Sequence, residues 1–365
     1  MKLKSLLATS LALTMSVSLF AGCGNSSNST NAPSATTPNA PAAGSSAAST
    51  PSNSAEPEYV IKFSHNGAGQ GAQFDGQTFF KERLEELSGG RIRVDLYPGA
   101  SLADKAGSME GLQLGTIEAT EVSLIDMSAY DDLWDVFALP YLFDSAEQAC
   151  EISHDSQVYD ILGSNAEENG FVLLSIVSVG SRDIYSKKPI NSVEDMKGLK
   201  IRVMGSNGLV SAMTDMGASP LSLNWSECYS AMQQGTIDAV ENSTEVLYSN
   251  GYTELPGFYS FTSHFTIPDL LLFSKVVYDS MPTDLQEAVK QAGIDTEKQW
   301  NEVIYKAATD EALETMKNKG VNFINPDLTG FRASAEKTSK NISSNFNEKQ
   351  VEVYNAINTV KGKYK

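Results

Sequence analysis

The sequence is poor in the residues that hold metal ions and carry out nucleophilic catalysis. It has three cysteines and three histidines in 365 residues, and no two of the histidines stand at the spacing of metal ligands. It also lacks a Cys-x-x-Cys pair, a Gly-x-Ser-x-Gly turn and a Gly-Lys-Ser/Thr phosphate loop. These absences argue against a zinc enzyme, a serine hydrolase and a nucleotide hydrolase, and we predict neither a catalytic residue nor a cofactor.

Basic residues are scarce as well. The chain has 27 Lys and Arg against 45 Asp and Glu, which gives a formal net charge of −18. A protein this acidic repels nucleic acid and anionic lipid surfaces, so neither is predicted as a partner. Because the same charge repels small anions, any acid that the protein captures must be held by a local cation.

Arg202 is a candidate for that cation. In the stretch Gly198-Leu-Lys-Ile-Arg-Val-Met204, apolar residues alternate with the others, as in a half-buried strand. An arginine at the end of such a strand, beside the predicted turn at 205–208, can offer two parallel N–H donors to a planar carboxylate. The alternative is an ion pair between Arg202 and one of the many surface carboxylates.

The N-terminal region predicts export. Lys2 and Lys4 precede an apolar run from Leu6 to Phe20 that is too short and too rich in Ser and Thr for a membrane span. The run ends in Leu19-Phe-Ala-Gly-Cys23, which resembles the lipobox of bacterial lipoproteins. The resemblance implies that residues 1–22 are a signal peptide and that a lipid on Cys23 anchors the chain to the outer side of the cell membrane. The alternative is an ordinary secreted protein with a chance cysteine at the cleavage site.

After Cys23 the composition is that of a tether. Residues 24–55 consist of Ser, Asn, Thr, Ala, Pro and Gly and carry no charge. Such a segment cannot bury enough surface to fold. We therefore predict a disordered linker over residues 23–57, beginning with the lipidated cysteine.

The body begins with alternating strand and helix patterns, which indicate an α/β lobe. They are predicted at Tyr59–Ser64, Ala72–Ser88, Arg91–Tyr97, Lys105–Leu114 and Ile117–Ser123. A glycine-rich loop, Gly67-Ala-Gly-Gln-Gly71, follows the first strand, but it lacks the Gly-x-Gly-x-x-Gly register of a phosphate-binding turn. The last part of the chain is mostly amphipathic helix.

An internal repeat indicates a second lobe. Residues 112–123 and 232–243 are identical at seven of twelve positions, and each copy reads as a helix end, a glycine and a short strand. Two similar α/β lobes around a central cleft are typical of hinged ligand-binding proteins. The alternative is chance similarity between two helix–strand junctions.

The predicted lobes are discontinuous in sequence. The first comprises residues 58–179 and 268–307, and the second comprises 180–267 and 308–362. Cys150 and Cys228 then fall in different lobes, so we expect two buried free thiols.

Two longer motifs resemble a known family. They are Ile190-Asn-Ser-Val-Glu-Asp-Met-Lys-Gly-Leu-Lys-Ile-Arg202 and the segment 217–242, which begins Gly-Ala-Ser-Pro and ends Asp-Ala-Val-Glu-Asn. Both resemble the extracytoplasmic solute receptors of tripartite ATP-independent periplasmic (TRAP) transporters, of the dicarboxylate-binding-protein type, over about residues 58–350. The resemblance implies two lobes that close on a small organic acid and a membrane permease, driven by an ion gradient, as partner.

The resemblance also implies the ligand-contacting residues. It places the carboxylate clamp on Arg202, a second arginine on Arg182, the closing amide on Asn242, an aromatic wall on Trp225 and a contact from the opposite lobe on Asn66. Each of the last four has a structural alternative. Arg182 could pair with an internal acid, Trp225 could be core, Asn242 could cap the next helix, and Asn66 could belong to a turn.

Three further residues are candidates for the cleft. His65 and His264 follow apolar strand patterns, although a structural role is the alternative for each, and Asp269 could accept hydrogen bonds from ligand hydroxyls. Asp104 matches a family position with a looser link to the ligand. Two arginines beside carboxylate and amide acceptors suit an acid with many hydroxyls, so a uronate or related sugar acid is the first substrate hypothesis and a C4-dicarboxylate the second. A ligand-sensing partner of a membrane receptor, or a cleft enzyme acting on sugar acids, is the alternative function.

Overall fold

Two β-sheets organise the part of the chain that a computed structural model describes, residues 56–364. The predicted signal peptide, Cys23 and nearly all of the predicted linker lie outside the described residues. Within them the strands are β1 (Tyr59–Ser64), β2 (Ile92–Tyr97), β3 (Ala119–Ser123), β4 (Phe171–Val177), β5 (Ser181–Ser186), β6 (Lys200–Val203), β7 (Ser219–Ser222), β8 (Ala239–Asn242), β9 (Phe258–Thr266), β10 (Asp269–Ser274) and β11 (Asn322–Ile324).

Helices cover these sheets, which confirms the predicted α/β class. The helices of the described residues are α1 (Ala72–Leu87), α2 (Lys105–Leu114), α3 (Ala146–His154), α4 (Ser156–Glu168), α5 (Asn207–Asp215), α6 (Trp225–Gln234), α7 (Thr244–Ser249), α8 (Lys275–Ser280), α9 (Thr283–Gln299), α10 (Tyr305–Asn318), α11 (Thr329–Ser343) and α12 (Glu348–Lys361). None of them combines the length and the apolar composition that a membrane crossing requires.

The two sheets share one topology. The first has the strand order β2-β1-β3-β10-β4, and the second has β7-β6-β8-β5-β9, with β11 added at its edge. In both, the first three strands are parallel and the next two are antiparallel to their neighbours. The predicted pair of similar α/β units is therefore present at the level of the sheets.

The internal repeat supplies an equivalent unit to each sheet. Gly115 caps the C-terminus of α2 and Gly235 caps that of α6, and both glycines adopt the left-handed conformation, with φ of 70° and 81°. Glycine adopts this conformation without the steric cost of a Cβ, which makes it a common helix terminator. The next strands, β3 and β8, occupy matching positions in the two sheets.

The chain passes between the sheets at two short connections. Strand β4 of the first sheet ends at Val177 and β5 of the second begins at Ser181, while β9 of the second ends at Thr266 and β10 of the first begins at Asp269. Both connections lie within three residues of a sequence-predicted lobe boundary. The boundaries themselves stay a prediction.

A long helix also links the two sheets. Helix α9 packs on α1 and β4, and α10 continues it and packs on α7. Between them residues Trp300–Ile304 form a π-helical turn, a local widening that occurs frequently at functional sites. The Trp300 indole donates to the Ser178 carbonyl at 2.9 Å, so this turn holds the β4–β5 connection.

The remaining C-terminal helices pack on different parts of the body. Helix α11 lies on α5, beside the second sheet, whereas α12 lies on α3 and α4, which precede β4 in the chain. Within residues 56–364, Cys150 and Cys228 are buried and form no disulfide with each other, as expected from their predicted separation.

Candidate ligand-binding cleft

A small cavity of about 60 Å³ lies where residues of the two sheets meet. Several of its lining residues stand at or just beyond the carboxyl ends of β1, β3, β6 and β8, the edge where open α/β sheets bind ligands. The sequence-predicted residues that line it are His65, Asn66, Arg182, Arg202, Trp225, Asn242 and Asp269. The structure thus brings together seven residues that are spread over two hundred positions of the chain.

A larger compartment of about 390 Å³ adjoins this cavity, which is within the usual size range of small-molecule sites. The two spaces share five lining residues: Asn66, Lys105, Arg202, Met204 and Trp225. The outer compartment also has an acidic wall that includes Asp104, whose carboxylate caps helix α2 by accepting from the Gly107 amide at 2.9 Å. Arg202 and Trp225 therefore stand at the junction between the inner and outer spaces.

The Arg202 guanidinium is buried and carries no internal counterion. The residue is 5% exposed, and its Nε donates to the Leu223 carbonyl at 3.0 Å. Among residues 56–364 no carboxylate forms an ion pair with it, and its two terminal nitrogens donate no hydrogen bond. The alternative of a surface ion pair is therefore not what the structure shows for this side chain.

Trp225 holds the Arg202 guanidinium from one side. The guanidinium carbon lies 5.3 Å from the centroid of the indole ring, a cation–π distance. Trp225 is the first residue of α6, which begins with a capping box formed by Asn224 and Glu227. The indole also packs on Tyr252 at 5.4 Å, so this side chain combines a core contact with a place in the cavity wall.

Arg182, in contrast, is already paired. Its Nη2 donates to Oε1 and to the carbonyl of Glu241, both at 3.0 Å, and its Nε bonds to Oε2 of the same carboxylate. Burial opposes the charge of Arg182, but the Glu241 carboxylate outweighs that effect and the pKa of Arg182 is raised. The internal ion pair foreseen as the alternative role of Arg182 is therefore present.

Two buried carboxyl groups, Glu121 and Asp269, form an acidic pair on the first sheet. Gln73 Nε2 donates to Glu121 at 2.7 Å and to Asp269 at 3.1 Å. Burial and then the neighbouring Asp269 raise the pKa of Glu121 well above its ordinary range, and burial also raises the pKa of Asp269. Both shifts favour the protonated form, so the pair resists carrying two negative charges.

His65 is a neutral donor in this cavity. Burial, with a smaller effect from Lys105, lowers the pKa of His65 to about 4. Gln77 Nε2 lies 2.8 Å from His65 Nδ1, and because the amide nitrogen must donate, the neutral ring carries its proton on Nε2. Among the described residues neither His65 Nε2 nor Asn66 Nδ2 has a hydrogen-bond partner, although both are buried. Buried donors without a partner are rare in folded proteins, so both mark this wall as a place where polar partners are missing.

His264 and Asn242 occupy the second sheet. His264 lies behind the Arg182–Glu241 pair, with Nε2 3.8 Å from Glu241 Oε2, and burial lowers its pKa to about 3. His264 is not among the lining residues of either space, and its structural role stays a prediction. Helix α7 has Ser243 as its N-cap, so Asn242 stands one residue before the cap and lines the cavity.

Sequence reasoning missed Lys105, Glu121 and Glu241. Lys105 lines both spaces and is bound by Asp126 at 2.8 Å. Glu121 and Glu241 are the same position of the internal repeat, identical in both copies. Glu121 and Glu241 could have been identified from the sequence, because a charged residue at the same position of two buried strands is unusual.

Together these groups suit an acid that carries hydroxyl groups. Arg202 offers two N–H donors, while His65, Asn66 and the Glu121–Asp269 pair offer polar partners on the opposite sheet. Within residues 56–364 no three His, Cys, Asp or Glu side chains form a group able to hold a metal ion.

Comparison with known proteins gives a consistent set of relatives. The family model of bacterial extracellular solute-binding proteins, family 7 (DctP), matches residues 63–349. The C4-dicarboxylate-binding periplasmic protein DctP of Rhodobacter capsulatus is 28% identical over 267 residues, which is 73% of this chain and 79% of that protein.

Two solved structures combine close overall likeness with bound sugar acids. A TRAP periplasmic solute-binding protein from Anaerococcus prevotii, with bound α/β-D-glucuronate, has 29% identity and a TM-score of 0.79 over 84% of this chain and 99% of that one. A second, from a Sulfitobacter species and with bound β-D-galacturonate, has 25% identity and a TM-score of 0.78 over 82% and 99%.

Proposed function

The chain belongs to family 7 of the bacterial extracellular solute-binding proteins, and from this premise we propose that it captures a uronate or related sugar acid for a TRAP-type transporter. The observation that carries the proposal is the buried Arg202 guanidinium at the junction of the two spaces, without an internal counterion. A ligand carboxylate supplies the missing charge and accepts the two parallel N–H donors. Arg182 does not compete for it, because Glu241 already occupies its fork.

The rest of the cavity favours hydroxyl groups over a second carboxylate. Glu121 and Asp269 are buried and both accept from Gln73, and a second negative ligand group placed there would meet like charge and lose hydration. Sugar hydroxyls both donate and accept, so they match His65, Asn66 and the carboxyl pair. The bound glucuronate and galacturonate of the two similar structures support the same choice.

A C4-dicarboxylate is the second candidate because of Lys105. Lys105 lines both spaces, as Arg202 does, and is a second cation in their walls. Asp126 already neutralises it at 2.8 Å, however, which weakens its pull on a second ligand carboxylate.

A thermal-shift screen distinguishes these acids. We expect D-glucuronate or D-galacturonate, at millimolar concentration, to raise the melting temperature by several degrees, because a ligand at a hundred times its Kd stabilises the folded state by about 2.7 kcal/mol. D-glucose is the matched control that lacks the carboxylate and should give no shift. A larger shift with succinate than with any sugar acid would favour the dicarboxylate, and no shift with any acid would contradict the proposed function.

We propose that binding closes two lobes around the acid. The predicted lobes are residues 58–179 with 268–307 and residues 180–267 with 308–362, although α12 (Glu348–Lys361) packs on α3 and α4 of the first range. The chain crosses between the lobes at the two short connections and at the start of α10. The closed form then delivers its ligand to the membrane permease subunits of the transporter. The relatives are transport proteins rather than enzymes, and we propose no catalytic step.

We also propose that a lipid on Cys23 anchors the protein at the outer side of the cell membrane. The support is the Leu-Phe-Ala-Gly-Cys23 sequence after the apolar run. In the producing cell, Cys23→Ala should move most of the protein from the membrane fraction to the soluble extracytoplasmic fraction, because the acyl chains supply the membrane affinity. Ser26→Ala is the matched control. Retention of the Cys23→Ala protein in the membrane fraction would refute the anchor.

A further inference from the structure

The glycine-rich loop Gly67–Gly71 lies against α7, which belongs to the other sheet. Three hydrogen bonds join the loop and the first residue of α1 to α7 and the residue that follows it. The Ala68 amide donates to Asn250 Oδ1 at 3.2 Å, Gln70 Nε2 donates to the Ser249 carbonyl at 2.8 Å, and the Ala72 amide donates to Glu245 Oε1 at 3.0 Å. A loop that follows β1 of the first sheet is thus fastened to a helix that follows β8 of the second.

The close approach explains the glycine at position 71. Gly71 has φ of 88°, and a Cβ on it would lie 2.5 Å from both Glu245 Oε1 and Ser249 Cβ. Gly71 is also the N-cap of α1 and provides no side-chain cap of its own. Glu245, on α7, caps α1 instead. Its carboxylate accepts from the Ala72 amide at the positive, N-terminal end of α1. The loop is therefore shaped for contact with α7.

Asn250 connects this contact to the ligand-binding wall. Its Oδ1 accepts from the Ala68 amide and also from the Trp225 indole N–H, at 3.1 Å. Its Nδ2 donates to the Val246 carbonyl at 2.9 Å, which fixes the amide orientation. Trp225 in turn stacks on Arg202. A continuous path thus runs from the proposed carboxylate clamp, through one amide, to the backbone of the other sheet.

We propose that Asn250 is a positioning residue that couples the ligand-binding wall to closure of the cleft, an inference that rests on the proposed function. An acid bound to Arg202 and Trp225 restrains the indole ring. The indole N–H then keeps Asn250 Oδ1 in the position where it also accepts the hydrogen bond from the Ala68 amide. The loop–helix contact then stabilises the closed form. The expected consequence is slow ligand release, because contacts made after encounter act mainly on dissociation.

The kinetic test compares variants of Asn250. Asn250→Ala removes both acceptor contacts, and we expect the dissociation rate of D-glucuronate to rise roughly tenfold while the association rate changes less than about threefold. Asn250→Asp retains an acceptor oxygen for Ala68 and Trp225 but loses the donor to the Val246 carbonyl, so it should recover only part of the wild-type release rate. Stopped-flow tryptophan fluorescence measures both rates. Asn358→Ala is the matched control, since Asn358 makes the same bond to the carbonyl four residues earlier, at 2.8 Å, far from the cleft in α12.

A distance measurement separates coupling from a merely structural role. Arg93 on β2 and Ser219 on β7 are both exposed and can be replaced by cysteine for spin labelling. Double electron–electron resonance between the two labels then measures the distance between the sheets. We expect Asn250→Ala to decrease the closed fraction with ligand bound and also without ligand, and Asn250→Asp to decrease it less. Unchanged release and an unchanged closed fraction in Asn250→Ala would overturn the proposal, as would equal loss in both variants.

The ligand-free distances keep this test independent of the proposed function. If the wild-type protein bound no sugar acid, the proposed function would fail. The closed fractions of ligand-free wild-type and Asn250→Ala protein would still decide whether Asn250 fastens the two sheets.

Discussion

Replacing Arg202 with alanine is expected to weaken binding of the preferred acid by roughly 30- to 1,000-fold, or about 2–4 kcal/mol. The ligand carboxylate would enter a buried site without a counterion and lose both of its strongest hydrogen bonds. Arg202→Lys should also weaken binding strongly, because an ammonium group neither forms the two-donor fork nor stacks flat on Trp225. Isothermal titration calorimetry with the acid found by thermal shift measures both effects.

Arg93→Ala is a suitable control for the Arg202 variants. Arg93 is an exposed strand arginine paired with Asp95, so its removal should leave affinity unchanged. The stability of the ligand-free Arg202→Ala protein should be close to that of the wild type or slightly higher, since the variant removes a buried charge that lacks an internal partner. Full affinity in Arg202→Ala would exclude Arg202 as the carboxylate clamp.

The sequence was sufficient to predict the two α/β units because the evidence for them is local. Strand and helix periodicity marks β1, α1 and β2 within a residue of their bounds. The repeat around Gly115 and Gly235 marks one equivalent junction in each sheet. A helix terminator and the alternation of the following strand depend on neighbouring residues, so they can be read without knowledge of the tertiary structure.

The distinction between Arg202 and Arg182 could not be predicted in the same way. Both are arginines in short strands of the second sheet, and both line the cavity. What separates them is Glu241, which lies 59 residues from Arg182 and reaches it only through the pairing of β5 with β8. The strand register therefore decides which of the two arginines remains free to bind a ligand. The register between strands that are distant in sequence cannot be predicted from local sequence patterns.

The contact between the glycine-rich loop and α7 shows the same limit. The spacing of glycines in 67–71 does not match a phosphate-binding turn, but nothing local indicates what the loop contacts instead. The reason for glycine at position 71 is the proximity of Glu245 and Ser249, which follow it by more than 170 residues. The π-helical turn at Trp300–Ile304 could not be predicted for the same reason. Its contact with the β4–β5 connection, from the Trp300 indole to the Ser178 carbonyl, joins residues that are far apart in sequence.

Replacing Arg182 with alanine is expected to act mainly on stability. Glu241 is 0% exposed, and removal of its partner leaves an uncompensated buried charge, a loss of about 3–5 kcal/mol in the free energy of unfolding. Urea denaturation of the ligand-free protein measures it. The double variant Arg182→Met with Glu241→Met should recover most of the loss, because replacing both partners of a buried ion pair with apolar residues is often neutral or stabilising.

The comparison between the Arg202 and Arg182 variants shows which of the two arginines binds the ligand carboxylate. Arg202→Ala should lose affinity and retain stability, whereas Arg182→Ala should lose stability first, with any loss of affinity following from the displaced β5 and β8. If Arg182→Ala instead kept its stability and lost binding, Glu241 would have to release Arg182 to the ligand during closure. The ion pair would then be a switch, in which the acid replaces Glu241 on the Arg182 fork and the Glu241 carboxylate moves to another donor.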